Sequence, residues 1–351
     1  MKPANPDTAD LNDVGTAPLT YGRGFDRRRF VRDNAVQLQL LVGIVVVASV
    51  FSLLYPDRFA TIGNFENISR QGATLAVVAI GQSFALIVGG FDISVGSTMG
   101  LASTVGALVM IDQGVAAGIA AGLLAGVAAG LVNGTLIARL GVTPFVATLG
   151  MLAFARGLAN HLSGGASVSG LPESFGFFGR GSWGPIPATV GMAAVVLAIA
   201  AFILYLTRLG LYTYSIGGSR EASALSGVRV VRTELLAYTI CGLLAGVGGL
   251  MLASRVSVGQ ASLGQGFELM SIATAVIGGV AIGGGIGRLS GVILGVALLS
   301  VLSTGMNIAQ LSEFLQQMIT GVVLVLAVLI DRLRMRGAQH RRVESTLEAS
   351  A

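Results

Sequence analysis

The sequence has little of what builds a catalytic centre or a soluble surface. It contains one cysteine, Cys241, so neither a disulfide framework nor a metal site of paired thiolates is available. Two histidines, His161 and His340, are too few for a histidine-rich metal site. The sole lysine is Lys2 and the pattern GxxxxGK[ST] is missing, so the chain lacks that nucleotide-binding loop. No HExxH and no acid–base cluster point to an enzyme, and no cofactor is expected. Charged residues make up 11%, against about 25% in soluble domains. So few charges cannot clothe 351 residues in water. The formal charge of +5 does not mark a nucleic-acid binder, because the arginines flank apolar segments and form no stripe.

What is abundant is apolar sequence, 53% of the chain, and glycine, 51 residues without a triplet repeat. A hydrocarbon core of about 30 Å takes about 20 apolar residues in a helix. Ten segments meet this: 36–55, 67–89, 93–111, 115–138, 142–160, 187–206, 233–253, 267–284, 289–306 and 313–330. The sequence is thus read as an all-α polytopic membrane protein of about ten spans. Eight spans with two re-entrant segments satisfy the same parity. Residues 1–35 are polar and end in Arg23, Arg27, Arg28, Arg29 and Arg32, ahead of a full-length apolar stretch. They read as a cytoplasmic tail before an uncleaved first span, with 335–351 as a second cytoplasmic tail and 36–334 as the membrane domain.

Placing the N-terminus inside puts 17 of the 22 basic residues on the inner side. Arg58, Arg70, Arg156, Arg180 and Arg255 fall on the outer side, the bias that the positive-inside rule requires.

Glycine recurs at every fourth position at Gly114, Gly118, Gly122, Gly126, Gly130 and Gly134, and again at Gly283, Gly287, Gly291 and Gly295. Such a ridge lets a neighbouring helix approach closely, for rigid packing or for sliding. Ile87–Gly106 and Ile277–Gly295 also echo one another, as internally duplicated transporters do.

Polar residues inside apolar surroundings need an explanation. Asp92 lies in Gly89-Gly90-Phe91-Asp92-Ile93-Ser94-Val95-Gly96-Ser97. It can cap the following helix, and a turn at membrane depth must be buried or line a cavity. Gly90, Asp92, Ser94 and Ser97 are therefore pathway or gate candidates, with Gln82, Thr143, Asn160, Glu268 and Asn307. Arg156 near an outer helix end can snorkel. Paired buried acids of a proton relay are missing, so amides and hydroxyls suit a neutral solute. A self-contained secondary transporter is the alternative class.

The inner loop 208–232 is the longest on its side. Ser219 before Glu221, Ala222, Ala224 and Leu225, with Gly227 after them, predicts a short helix suited to docking a partner. The outer loop 161–186 carries Phe175, Phe177, Phe178 and Trp183, for docking an external protein or for packing over the bundle.

These motifs resemble the permease subunits of bacterial ABC importers for monosaccharides, the ribose, xylose, arabinose and galactoside group. The resemblance covers nearly all of Val36–Arg334. It rests on Gly89–Ser97, on Gly141-Val142-Thr143-Pro144-Phe145-Val146-Ala147-Thr148-Leu149-Gly150, on Ile216-Gly217-Gly218-Ser219-Arg220-Glu221-Ala222, on Gly266-Phe267-Glu268-Leu269 leading to Ile277-Gly278-Gly279, and on Leu329–Arg334. Phe91 departs from the Ile or Leu more common there. The resemblance implies an inner-membrane subunit pairing with a second permease subunit, as a homodimer or heterodimer, surrounded by membrane lipid. A separate cytoplasmic ATPase would dock through Gly217, Gly218, Arg220, Glu221, Ala222, Leu225 and Gly227. A periplasmic binding protein would deliver the sugar.

Overall fold

Apolar runs of about 20 residues, broken by glycine and proline, fold as helices because hydrocarbon leaves no other partner for the backbone. The computed structural model describes residues 34–312 and 314–323, with 325, 326 and 329. The helices are α1 (Ala35–Leu54), α2 (Pro56–Phe59), α3 (Ile62–Ile87), α4 (Val95–Gln113), α5 (Val115–Ala138), α6 (Pro144–Ser163), α7 (Phe177–Arg180), α8 (Ala188–Leu206), α9 (Arg208–Gly218), α10 (Arg220–Leu225), α11 (Val230–Val256), α12 (Phe267–Ile277), α13 (Leu289–Ile308) and α14 (Phe314–Val323). A small ribbon pairs β1 (Ser182–Trp183) with β2 (Ile186–Pro187). Six of the described helices, α1, α4, α5, α8, α11 and α13, are long and apolar enough to cross a membrane. The tails outside 34–329, and the end of the tenth expected span, lie outside the described residues.

Helix α3 is the axis of the bundle. Its second half, from Gly72 to Ile87, is buried all round, against α11, α12 and α13. Helices α1 and α8 lie at the periphery, with Val42, Val45, Leu53, Val195 and Leu206 exposed as a lipid-facing surface requires. An apolar groove of about 850 Å³ runs between them, lined by Ile44, Phe59, Phe65, Val190 and Val296.

Helix α5 meets α4 and α11 through its glycine ridge. A Cβ on Gly118, Gly122, Gly126, Gly130 or Gly134 would lie 2.4 to 2.9 Å from Met110, Ala102, Gly242, Tyr238 or Leu235. Backbone therefore lies on backbone along the ridge, and dispersion replaces the hydrophobic drive that lipid cannot supply. Gly114 is an exception to the sequence reading. It stands at the turn before α5 with φ +87° and nothing within 4 Å of its Cβ position, so it turns the chain and packs against nothing. Of the second series, Gly291 and Gly295 lie against Gly278 and Thr274 of the α12 side, while Gly283 meets nothing.

The eighth expected span, 267–284, is a correction. Only Phe267–Ile277 is helical. The residues before it, Ser257 to Gly266, run down α4 without forming a helix. Gly259 pairs with Val168, the Gln260 N–H donates to Ser103 Oγ at 3.3 Å, and the Cβ positions of Gly100 and Gly96 abut the Ala261 and Gly264 carbonyls. Glycines and amides in this stretch make helix formation costly, and α4 satisfies the backbone instead. The stretch 208–218, read as loop, is helix α9, started by Thr207, whose Oγ1 accepts the Gly210 N–H.

The segment between α6 and α8 folds over one end of the bundle. Phe175 is buried and its carbonyl accepts the Ser254 hydroxyl at 2.5 Å, while Phe177 meets Trp183 edge-on at 5.7 Å. On the same end Arg70 donates to the Gly181 carbonyl at 2.9 Å and Arg255 to Asn67 at 2.8 Å.

Candidate functional site

Two features of the sequence, the turn after α3 and the short helix α10, come together at one end of the bundle. Helix α3 ends in a Schellman-type turn: the Gly90 N–H reaches back to the Ala85 carbonyl at 2.9 Å, and Gly89 has φ +102°, which a side chain rarely tolerates. The chain then folds back into the bundle. The Gln82 side-chain amide, more than a helical turn before the end of α3, pairs with the Asp92 backbone N–H and C=O at 3.0 and 3.1 Å.

Asp92 is 2% exposed, and both its carboxylate oxygens are hydrogen-bonded. Its Oδ1 accepts the Ser94 N–H at 2.8 Å and the Ser94 hydroxyl. Its Oδ2 accepts Asn133 Nδ2 from α5 at 3.1 Å, and the same amide donates to Ser94 Oγ at 3.0 Å. Ser97 Oγ donates to the Ser94 carbonyl at 2.8 Å. The carboxylate thus fixes the start of α4 and clasps it to α5. A buried carboxylate left without these donors would cost several kcal/mol, on the order of its desolvation.

Helix α10 begins on Ser219, whose Oγ accepts the Ala222 N–H at 3.2 Å, worth about 1 kcal/mol. It ends at Gly227, φ +79°, with the Val228 N–H bonded back to the Ser223 carbonyl at 3.0 Å. Ser223 faces inward and meets Ser215 at 2.8 Å. Glu221 and Ala222 are exposed, and Leu225 is 91% exposed. Arg220 donates to both oxygens of Glu234 on α11, at 2.8 and 3.2 Å. Tyr214 on α9 donates to the Gly287 carbonyl at 2.8 Å, and burial, aided by Tyr205, pushes its phenol up to about 12, so it stays a donor. Gly217 lies against the Ile87 carbonyl and Gly285, so the α3 turn, the α9–α10 corner and the 283–285 turn meet backbone to backbone.

A cavity of about 510 Å³ opens between these elements, lined by Gly90, Thr143, Gly217, Arg220, Glu234 and Tyr238 among others. The remaining candidates lie elsewhere. Asn160 is near the C-terminal end of α6 in a polar pocket of about 150 Å³ with Arg156, Gln260 and Gln265. Glu268 accepts the Gly266 N–H at 3.1 Å and rests on Gly96. Asn307 is at the far end of α13, accepting from Gln316 at 2.9 Å. Sequence reasoning missed the roles of Glu234 and Tyr238, two residues of one apolar helix; their spacing of four, which puts them on one face, was the available signal.

Among the described residues no group of His, Cys, Asp and Glu is placed to hold a metal ion. Six long apolar helices around buried polar turns mark a polytopic all-α membrane protein. Residues 64–328 match the family described as branched-chain amino acid transport system / permease component. The ribose import permease protein of Escherichia coli (strain K12) is 36% identical over 310 residues, covering 87% of this chain and 96% of that protein. The ribose import permease protein of Bacillus subtilis (strain 168) is 36% identical over 312 residues, 88% and 96% of the two chains. The L-arabinose transport system permease protein of Escherichia coli (strain K12) is 36% identical over 298 residues, 84% and 91%. No solved structure matches the chain. The chain belongs to the family of permease subunits of bacterial ABC-type sugar importers. It is a multi-pass inner-membrane transport subunit rather than an enzyme.

Proposed function

We propose that this subunit forms the pathway for a monosaccharide or related polyol, which a periplasmic binding protein delivers and a cytoplasmic ATPase drives. Membership of the family implies these partners together with a paired permease subunit. The pathway crosses the membrane in about ten spans with both termini cytoplasmic, and the positive-inside bias supports this orientation. The ATPase docks on Gly217–Gly227, with Arg220, Glu221, Ala222 and Leu225 at the contact. The turn Gly90–Ser97, braced by Gln82, is the gate element, and Thr143, Asn160, Glu268 and Asn307 line the route.

The observation that carries this reading is Leu225, an apolar side chain 91% exposed on a helix capped at both ends. Six residues do not hold a helix alone, and its caps with the Arg220–Glu234 pair present that leucine outward. The test is reconstitution with the ATPase and binding protein, then uptake of D-ribose, L-arabinose and D-allose. ATP-dependent uptake that requires the binding protein supports the reading; uptake without the ATPase contradicts it.

A further inference from the structure

The short ribbon β1–β2 turns apolar side chains outward at the edge of the bundle. Trp183 pairs with Ile186 across it, so the two side chains share one face, and each is 51% exposed. Phe177 lies edge-on against the indole and is itself exposed. Trp183 is the chain's only tryptophan, and its indole N–H donates to no described residue. Gly191 fixes where this face sits. A Cβ there would stand 2.4 Å from the indole ring, so the ring lies directly on the first turn of α8. Gly191 heads a row at helical spacing, Val195, Ile199 and Phe202, all exposed on the lipid-facing side of α8. The ribbon therefore continues that lipid-facing surface past the end of the helix. Tyr205 stands at the other end of α8, half exposed, its hydroxyl accepting the Leu289 N–H at 2.9 Å. The 19 residues of α8 make about 28 Å, close to the hydrocarbon thickness of about 30 Å. Amphipathic aromatics at both ends of such a helix suit the two faces of a bilayer.

We propose that Trp183, Ile186 and Phe177 form an interfacial anchor, seated in the headgroup–acyl boundary of the bilayer phospholipids with Arg180 at their phosphates. The proposal concerns the subunit's seat in the membrane and holds whatever solute it carries. Lipid follows from continuity with the exposed row of α8, on which the indole rests. Charge agrees: Arg180, three residues before Trp183, is exposed and forms no ion pair among the described residues. A lipid phosphate supplies the anion, and an arginine beside apolar side chains reaches the headgroups readily. In water, three large apolar side chains would be exposed together. Deep in hydrocarbon, the indole N–H would be stranded. The boundary satisfies both ends of the ring. Arg70 of α3 holds the ribbon in place, donating to the Gly181 carbonyl at 2.9 Å and to Ser182 Oγ at 2.8 Å. The anchor thereby sets the level of α3, the axis of the bundle, in the bilayer.

As the single tryptophan, Trp183 is its own probe. The full-length subunit is reconstituted in vesicles of phosphatidylcholine and phosphatidylglycerol. Its fluorescence is quenched by aqueous iodide, or by phosphatidylcholine brominated near the glycerol end or near the methyl end of its acyl chains. Bromine near the glycerol end should quench about twofold more than bromine near the methyl end, as an interfacial ring requires. Iodide should quench several-fold less than it quenches free tryptophan. Ile186→Asp sets a charge on the same face and should raise iodide quenching about twofold at native membrane abundance. Strong iodide quenching with neither bromolipid effective would place the face in water, open to a soluble protein, and overturn the proposal. Quenching strongest from the methyl-end bromine overturns it too, because the ring would then lie in the hydrocarbon core. Iodide quenching unchanged in Ile186→Asp also overturns it, because the face would then not be held by lipid.

Discussion

Arg220 and Glu234 form a two-pronged ion pair, at 2.8 and 3.2 Å, that ties the first residue of α10 to the buried start of α11. The arginine side chain is 57% exposed and the glutamate 9%. The hydrogen bond to Glu234, and then its charge, lift the arginine above its already high value, so Arg220 stays charged across the physiological range. A force applied to α10 therefore reaches α11, and with it Tyr238 and the α3 turn.

Separating that pair should uncouple rather than unfold. Because Arg220 is more than half exposed, a double-mutant cycle of Arg220→Ala and Glu234→Gln should return roughly 1 kcal/mol or less of coupling in thermal unfolding. ATPase stimulation by the binding protein should fall several-fold in each single variant. The swap Arg220→Glu with Glu234→Arg should recover part of it, and stimulation equal to native in both singles would remove the pair from the coupling route.

Leu225→Asp places a charge on the exposed face of α10 without touching the bundle. Membrane insertion should be native, while co-purification of the ATPase and sugar uptake should both fall at least tenfold. Normal assembly and uptake would remove Leu225 from the docking contact.

For Asp92, the side chain accepts bonds from Ser94 and Asn133, so its loss strands buried donors. Asp92→Asn keeps the shape and removes the charge, and Asp92→Ala removes both. Uptake per inserted molecule should drop in both, more steeply in alanine. If transport and abundance fall by the same factor, the residue is a helix cap and no part of the gate.

The glycine ridge makes a contrast within one protein. Gly130→Leu sets a side chain 2.4 Å from the Tyr238 carbonyl and should abolish accumulation of folded protein. Gly150→Ala and Gly157→Ala meet nothing within 4 Å and should accumulate as native. Fluorescence size-exclusion of tagged variants measures this directly.

Much of this architecture is written locally, and the remainder depends on contacts between distant segments. Helix α10 was readable because its caps, Ser219 and Gly227, lie within a few residues of it and act through backbone bonds. The glycine ridge was readable because a period of four survives projection onto a helix. The early end of the eighth expected span was not, since residues 278–284 leave the helix where Gly278 meets Gly291 and Gly284 meets Gly89 and Gly217. Helix α9 was hidden by its glycines, which look like loop until Gly210 and Gly217 are seen packed on Leu204 and Ile87. Asn133 is one amide in an apolar helix, and its tie to Asp92 joins distant segments and carries no local signature. Glu234 reads as one charge at a helix start until Arg220 is brought to it.

The central claim is that α10 carries the ATPase and thereby drives import. Cross-linking tests it most directly. A cysteine at Leu225, in a chain whose buried Cys241 is replaced by serine, would be paired with cysteines across the ATPase surface in the reconstituted importer. The account predicts a cross-link at this position that blocks binding-protein-stimulated ATP hydrolysis and is reversed by reductant. A fully assembled, sugar-importing complex in which the Leu225 position stays open to a bulky thiol reagent would contradict it.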